Sequence, residues 1–229
     1  MSAYRVTSGR RGAHVLSAAL LAATLAGGAT VALAHSGRGE LLHEHNRPVP
    51  NPDYKPPPPE TLGGPYELMD FNGRTVTDQT FRGRWALYFF GFAGCREACP
   101  VGLDKMALAL AELGEFGDRI QPIFVDIDFA APDPKGLKQF LSNFHPRLLG
   151  LTGDRKQVFD IVRAYKIRRE VGHASYGKKE TGARINHSTH FFLVDPDGRT
   201  RGYFYHTLTP PEMAAFIRRH IEGAKQTSK

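Results

Sequence analysis

The chain reads as an α/β domain: a central mixed β-sheet flanked by helices, with an N-terminal β-hairpin. Three observations predict it. From residue 66 onward, short strand-like runs alternate with runs of helical periodicity. Turn signals separate them, Asn72-Gly73 near the start and Asp195-Pro196-Asp197-Gly198 near the end. Two uninterrupted apolar runs, 85–90 and 120–127, supply its inner strands.

The elements follow in order. Residues 66–70 and 75–77 flank Asn72-Gly73, a strong hairpin signal. Trp85-Ala86-Leu87-Tyr88-Phe89-Phe90 is the next strand, and Leu103, Met106, Leu110 and Leu113 then recur at helical spacing. Residues 120–127 form a second apolar strand. Asp133-Pro134 opens a helix with Leu137, Phe140, Leu141 and Phe144 on one face. Residues 148–151 are short and extended, and 154–165 are helical with Val158, Ile161, Val162 and Tyr165 inward. Residues 166–186 are basic, glycine-containing and unpatterned, and are expected to form a long loop. Residues 189–194 and 201–205 make a hairpin across the Asp195–Gly198 turn. Thr209, Pro210 and Glu212 cap the last helix, whose apolar positions are Met213, Phe216, Ile217 and Ile221. Strands alternating with helices, then a hairpin and a closing helix, match the order of a thioredoxin-like fold.

Both cysteines lie in Cys95-Arg96-Glu97-Ala98-Cys99-Pro100, where the strand 85–90 passes through a tight loop into a helix. A thioredoxin-like fold has its active site at this end of a central strand. Helix N-termini favour negative charge, so thiols there tend to have lowered pKa values. A thiolate is both the redox nucleophile and a soft metal ligand. The pair is therefore suited to cycling between dithiol and disulfide, or to holding a soft ion such as Cu(I). The plainer alternatives are a structural disulfide or two inert buried thiols. Of ten histidines, His187 precedes the strand 189–194, so a loop can carry it over the cysteines. His145, His190, His206 and His220 sit within or beside patterned elements and read as surface or core residues. Asp126-Ile127-Asp128 ends the second apolar strand, and strand alternation sets both carboxylates on one face. They serve there either as solvent-facing strand-end caps or as groups near the cysteine loop.

The leading residues set the compartment. Arg5, Arg10 and Arg11 precede an apolar stretch, 12–34, that lacks charge and ends Ala32-Leu33-Ala34. That is an export signal, or an uncut membrane anchor with the N-terminus in the cytoplasm. Residues 1–34 hold three of the 30 basic residues and none of the 23 acidic ones, so the net charge of +7 falls by three without them. The remainder is modest and mixed in sign, which gives no support to a nucleic-acid partner. Residues 35–60 form a Pro-rich linker with four consecutive prolines, extended and unable to pack a core. Within it His43-Glu44-His45 is either a weak metal site or solvated linker. Residues 61–229 suffice for a single domain.

The sequence resembles the Sco/SenC family of copper-binding assembly factors for cytochrome c oxidase over residues 62–221. The resemblance rests on Leu62-Gly63-Gly64-Pro65-Tyr66-Glu67-Leu68, the Asn72-Gly73 hairpin, Phe81-Arg82-Gly83-Arg84-Trp85, and Phe90-Gly91-Phe92 leading into Cys-x3-Cys-Pro. It continues through Phe144-His145-Pro146-Arg147, Gly150-Leu151-Thr152-Gly153, Asn186-His187-Ser188 and Leu193-Val194-Asp195-Pro196-Asp197-Gly198. It implies a copper metallochaperone on a membrane tether, with Cys95, Cys99 and His187 as ligands of Cu(I), or in a second state Cu(II). Asp128 matches an acidic family position and would support the ligands from behind. The implied location is the outer face of a bacterial inner membrane or the periplasm, or the intermembrane space of a mitochondrion. The implied partners are a copper-receiving oxidase subunit, a copper donor and a thiol reductant.

The chain departs from the family pattern in places. Gly94 stands where a His often precedes the first Cys, and Arg96-Glu97 replace Pro-Asp. Phe129 follows Asp128 in place of Pro, and Asn186 replaces an Asp before the His. Arg96 is expected to favour thiolate. None of these removes a ligand. The competing function is a thiol-disulfide oxidoreductase using Cys95 and Cys99, which does not need His187; a peroxidase is weaker still, since no peroxidatic motif is present.

Overall fold

The computed structural model describes residues 55–129, 133–172 and 184–226. The leader, the linker as far as residue 54 with His43 and His45, and residues 173–183 lie outside the described residues. A seven-stranded sheet forms the frame. Its strands are β1 (Glu67–Asp70), β2 (Thr75–Thr77), β3 (Trp85–Gly91), β4 (Ile120–Asp126), β5 (Leu149–Thr152), β8 (His190–Val194) and β9 (Thr200–Tyr205). They lie in the order β2-β1-β5-β4-β3-β8-β9. Strands β3, β4 and β5 run parallel, whereas β1, β8 and the two edge strands join antiparallel. The sheet is mixed, as expected.

Every residue of β3 is buried, because helices cover both faces of the sheet. Alternation sends Trp85, Leu87 and Phe89 to one face and Ala86, Tyr88 and Phe90 to the other. The first face is covered by α1 (Ala98–Leu113) and α5 (Pro210–Gln226), the second by α4 (Arg155–Ala164). A short helix, α2 (Glu115–Asp118), and α3 (Pro134–Leu141) complete the helical set. Burying each large apolar side chain contributes about 1.5–3 kcal/mol, so the β3 floor is held from both sides.

The caps behave as the sequence indicates. Asp133 accepts the Gly136 amide, and Asp154 and Gln157 form a reciprocal capping box. The Glu212 carboxylate accepts from the Thr209 amide at 2.8 Å and from its hydroxyl at 2.7 Å. The end of the Pro-rich stretch rests on the sheet's outer strand: Tyr203 donates its hydroxyl proton to the Pro57 carbonyl at 3.1 Å.

One expectation is corrected. Residues 166–186 are not simply a loop, since β6 (Arg169–Gly172) and β7 (Arg184–His187) pair antiparallel as a separate two-stranded ribbon. Arg169 stands in register with His187. Backbone pairing alone defines this ribbon. Arg-Glu-Val-Gly against Arg-Ile-Asn-His carries no two-residue apolar alternation for a sequence reading to detect.

Candidate functional site

The site begins where β3 leaves the sheet. Cys95 donates its amide to the Phe92 carbonyl at 3.0 Å, which closes a turn over Ala93-Gly94. The chain enters α1 at Ala98, so Cys99 falls in the first helical turn. Cys99 is the first member of the buried stripe continued by Leu103, Met106, Leu110 and Leu113. Its sulfur sits over Gly91: a Cβ there would come within 2.6 Å of Cys99 Sγ and 2.8 Å of the Phe124 ring. Only glycine at the β3 exit admits a fully buried Cys99.

The two thiols are free and unlike each other. Burial works to raise the Cys95 thiol, but amides of Cys99, Glu97 and Ala98 and the Cys99 thiol bond to it and hold it below its ordinary value. Burial pushes Cys99 far up, and the neighbouring Cys95 and Asp126 push it further. Cys99 is therefore the more tightly protonated of the pair and donates toward the Cys95 sulfur. Arg96 is exposed, and the helix-start amides supply the lowering expected from it.

Asp126 ends β4 in register with Gly91. Burial raises its carboxyl to about 6, although the Asp128 and Ala93 amides donate to it. The Asp128 amide lies 3.0 Å from Asp126 Oδ1, a local turn that takes residue 128 off the strand. Ile127 still packs with Ile123 and Val125 on the α4 face of the sheet, and the paired strand itself ends at Asp126. Asp126 is the carboxylate whose charge reaches Cys99, while that of Asp128 reaches Arg169. The sequence signal for Asp126 was its place at the end of an apolar strand neighbouring the cysteine strand.

His187 ends β7. Its Nδ1 lies 3.0 Å from the Ser188 carbonyl, which can only accept, so Nδ1 carries the hydrogen and Nε2 the lone pair. Burial lowers its pKa, which keeps the ring neutral. The ring meets Phe92 edge to face at 6.1 Å between centroids. Phe92 thus joins the two halves, its backbone bonded to the cysteine loop and its ring against His187. Among the described residues, no three His, Cys, Asp or Glu side chains stand close enough together to hold an ion. The structure brings Cys95 and Cys99 into hydrogen-bond contact, with Asp126 near enough for its charge to reach Cys99, and sets His187 against the Phe92 ring.

The other described histidines serve the fold. His190 packs on Tyr205 at 4.3 Å, His206 bonds Thr189 at 2.6 Å, His220 bonds the Phe216 carbonyl at 2.8 Å, and His145 accepts the Arg147 amide at 3.1 Å.

A cysteine pair at the mouth of a thioredoxin-like sheet, with an imidazole from a side ribbon, defines the class. The SCO1/SenC family model matches residues 55–222, and the chain belongs to that family. Mitochondrial Protein SCO2 of Saccharomyces cerevisiae is 37% identical over 143 residues, which cover 60% of this chain and 46% of that protein. The chain thus spans about half that relative's length. A SCO2-like protein of Rickettsia conorii is 32% identical over 157 residues, 69% of this chain and 76% of that one. Among solved structures, yeast Sco1 with copper bound is 32% identical with a TM-score of 0.66, covering 74% of this chain and 94% of that chain. Bradyrhizobium japonicum ScoI with copper bound is 32% identical with a TM-score of 0.61, covering 69% and 99%.

Proposed function

We propose that this protein is an exported copper metallochaperone that carries Cu(I) on Cys95, Cys99 and His187 for the copper centre of a respiratory oxidase. The observation that carries the reading is the pair of free thiols on a loop bonded to the Phe92 backbone, with a neutral imidazole, Nε2 lone pair available, against the Phe92 ring. Two soft sulfurs and one imidazole suit a three-coordinate Cu(I) ion. The copper-bound yeast and Bradyrhizobium relatives support the same cargo. Both thiols give up protons as copper enters, so uptake strengthens with pH. His187 completes the set by moving from its contact with Phe92 to the sulfurs. Asp126 and Asp128 act from behind the ligands, Asp126 on Cys99 and Asp128 on the ribbon.

Anaerobic Cu(I) loading with X-ray absorption tests this. One copper per chain is expected, with two sulfur neighbours and one imidazole. Cys95→Ser or Cys99→Ser should abolish tight binding, His187→Ala should weaken it, and His220→Ala should leave it intact. Wild-type affinity in His187→Ala removes that residue from the site. The leader places the domain outside the cytoplasm, on a tether if uncut. Intact mass from washed membranes against a soluble form beginning at His35 separates the two.

A second reading is thiol-disulfide exchange on a copper-enzyme subunit. The lowered, half-exposed Cys95 beside the raised, buried Cys99 favours it, since such a pair divides attack and resolution. Exchange that survives His187→Ala while copper affinity falls would show that both roles share the pair.

A further inference from the structure

The thiols and His187 belong to different substructures. The thiols stand on β3 and α1, with Asp126 from β4, while His187 closes the β6–β7 ribbon. Among the described residues that ribbon pairs with no strand of the seven-stranded sheet, so contacts other than a shared ladder set its position. Arg169, in register opposite His187, makes those contacts. Its Nε donates to the Ile127 carbonyl at 3.2 Å, just past the end of β4. Its guanidinium lies 4.3 Å from the centroid of the Phe129 ring. Phe129 is backed by Phe159 of α4 at 5.3 Å, and the Arg155 guanidinium lies 5.3 Å from the Phe129 ring. Beside His187, Ser188 and Arg168 close the ribbon: the Ser188 amide donates to the Arg168 carbonyl at 3.0 Å, and the Arg168 amide to Ser188 Oγ at 3.1 Å.

We propose that Arg169, clamped on Phe129 and bonded to the Ile127 carbonyl, is the positioning residue that holds His187 against Phe92, the residue whose carbonyl anchors the cysteine loop. The same stretch of backbone, 126–129, contacts both halves of the site. Asp126 pairs in register with Gly91, which Cys99 Sγ overlies, and Phe129 carries the ribbon, so the clamp locks the His187 side to the cysteine side. An arginine is required: its planar guanidinium stacks on the ring while Nε keeps its in-plane hydrogen bond, and an ammonium cannot do both. Phe129 supplies the π face, and Arg155 and Phe159 hold that ring in place.

The proposal rests on the copper reading for its consequence but has a metal-free test. In the apo full-length chain, isotope-labelled and reduced, the His187 ring resonances report its distance from Phe92. Arg169→Lys and Phe129→Leu, which retain positive charge and apolar character respectively, should displace those resonances, while Phe129→Tyr should leave them in place. Unmoved His187 resonances in both Arg169→Lys and Phe129→Leu overturn the proposal. With Cu(I) bound, Arg169→Lys should weaken affinity about tenfold, the scale of one lost cation–π contact, and reduce the imidazole scattering. Combining it with His187→Ala should add no further loss, because Arg169 acts through that ring. A double variant losing the product of both single effects overturns the proposal as well. If His187→Ala alone costs nothing, the copper-ligand reading fails, and the apo resonances still decide whether Arg169 positions the ring.

Discussion

Replacing Asp126 with asparagine isolates the cost of the buried carboxylate beside Cys99. Burial raises the Asp126 carboxyl from its ordinary value of 3.8 to about 6. The folded value lies above the unfolded one, so the native state favours the protonated acid. The stability from this group is fully present below pH ~4 and is lost as pH rises through about 6. A shift of roughly two units corresponds to about 3 kcal/mol, and relaxation around the charge brings the expected effect to about 1–3 kcal/mol. Asparagine retains a carbonyl oxygen to accept from the Asp128 or Ala93 amide but carries no charge. Any cost of an imperfect hydrogen bond applies at every pH and cancels when two pH values are compared. Urea unfolding under reducing conditions at pH 4 and pH 7.5 is the assay. The stability of Asp126→Asn relative to wild type should improve by about 1–3 kcal/mol between those two points. The variant should also titrate Cys99 at lower pH, because Asp126 raises that thiol. A stability difference that does not change with pH would refute the reasoning.

Four further outcomes follow from the same geometry. Alkylation at pH 7.5 should label Cys95 at least about tenfold faster than Cys99, since only Cys95 has its thiol held down by helix-start amides; mass mapping of the labelled peptide reads this, and equal labelling contradicts it. Gly91→Ala should cost about 1–3 kcal/mol and weaken copper uptake, because the new methyl group meets Cys99 Sγ and Phe124; thermal unfolding and copper titration measure both. Mild oxidation should join Cys95 and Cys99, leaving no free thiol in the unfolded protein, and copper loading should then require a reductant; two remaining thiols is the contrary result. Copper affinity should rise with pH, because copper displaces thiol protons, the more tightly held one being on Cys99; an affinity flat between pH 6 and 8 argues against thiolate ligation.

The amino-acid sequence alone carries the sheet–helix order, the strand–loop–helix with both cysteines, the capped helix starts at Asp133 and Thr209, and the chain's resemblance to its family. These are local properties. The run from Trp85 to Phe90, the stripe Leu103, Met106, Leu110 and Leu113, and the Asp133 and Thr209 caps each specify structure through neighbours a few residues away. The stripe even contained an unread sign: Cys99 lies four residues before Leu103 on the buried face, and Cys95 precedes the helix. Only the tertiary structure decided how unlike the two thiols are, because their difference depends on Gly91, Phe124 and Asp126 arriving from two other points along the sheet. It alone replaced the expected loop with the β6–β7 ribbon, whose strands pair through backbone groups that leave no apolar period. It alone showed that the Asp126 charge reaches Cys99 while the Asp128 charge reaches Arg169, a division that strand periodicity does not reveal. The contact of the His187 ring with Phe92 belongs to the same class of fact. It follows from a register with Arg169 and a ring at Phe129, contacts between segments separated in sequence that only the folded chain brings together.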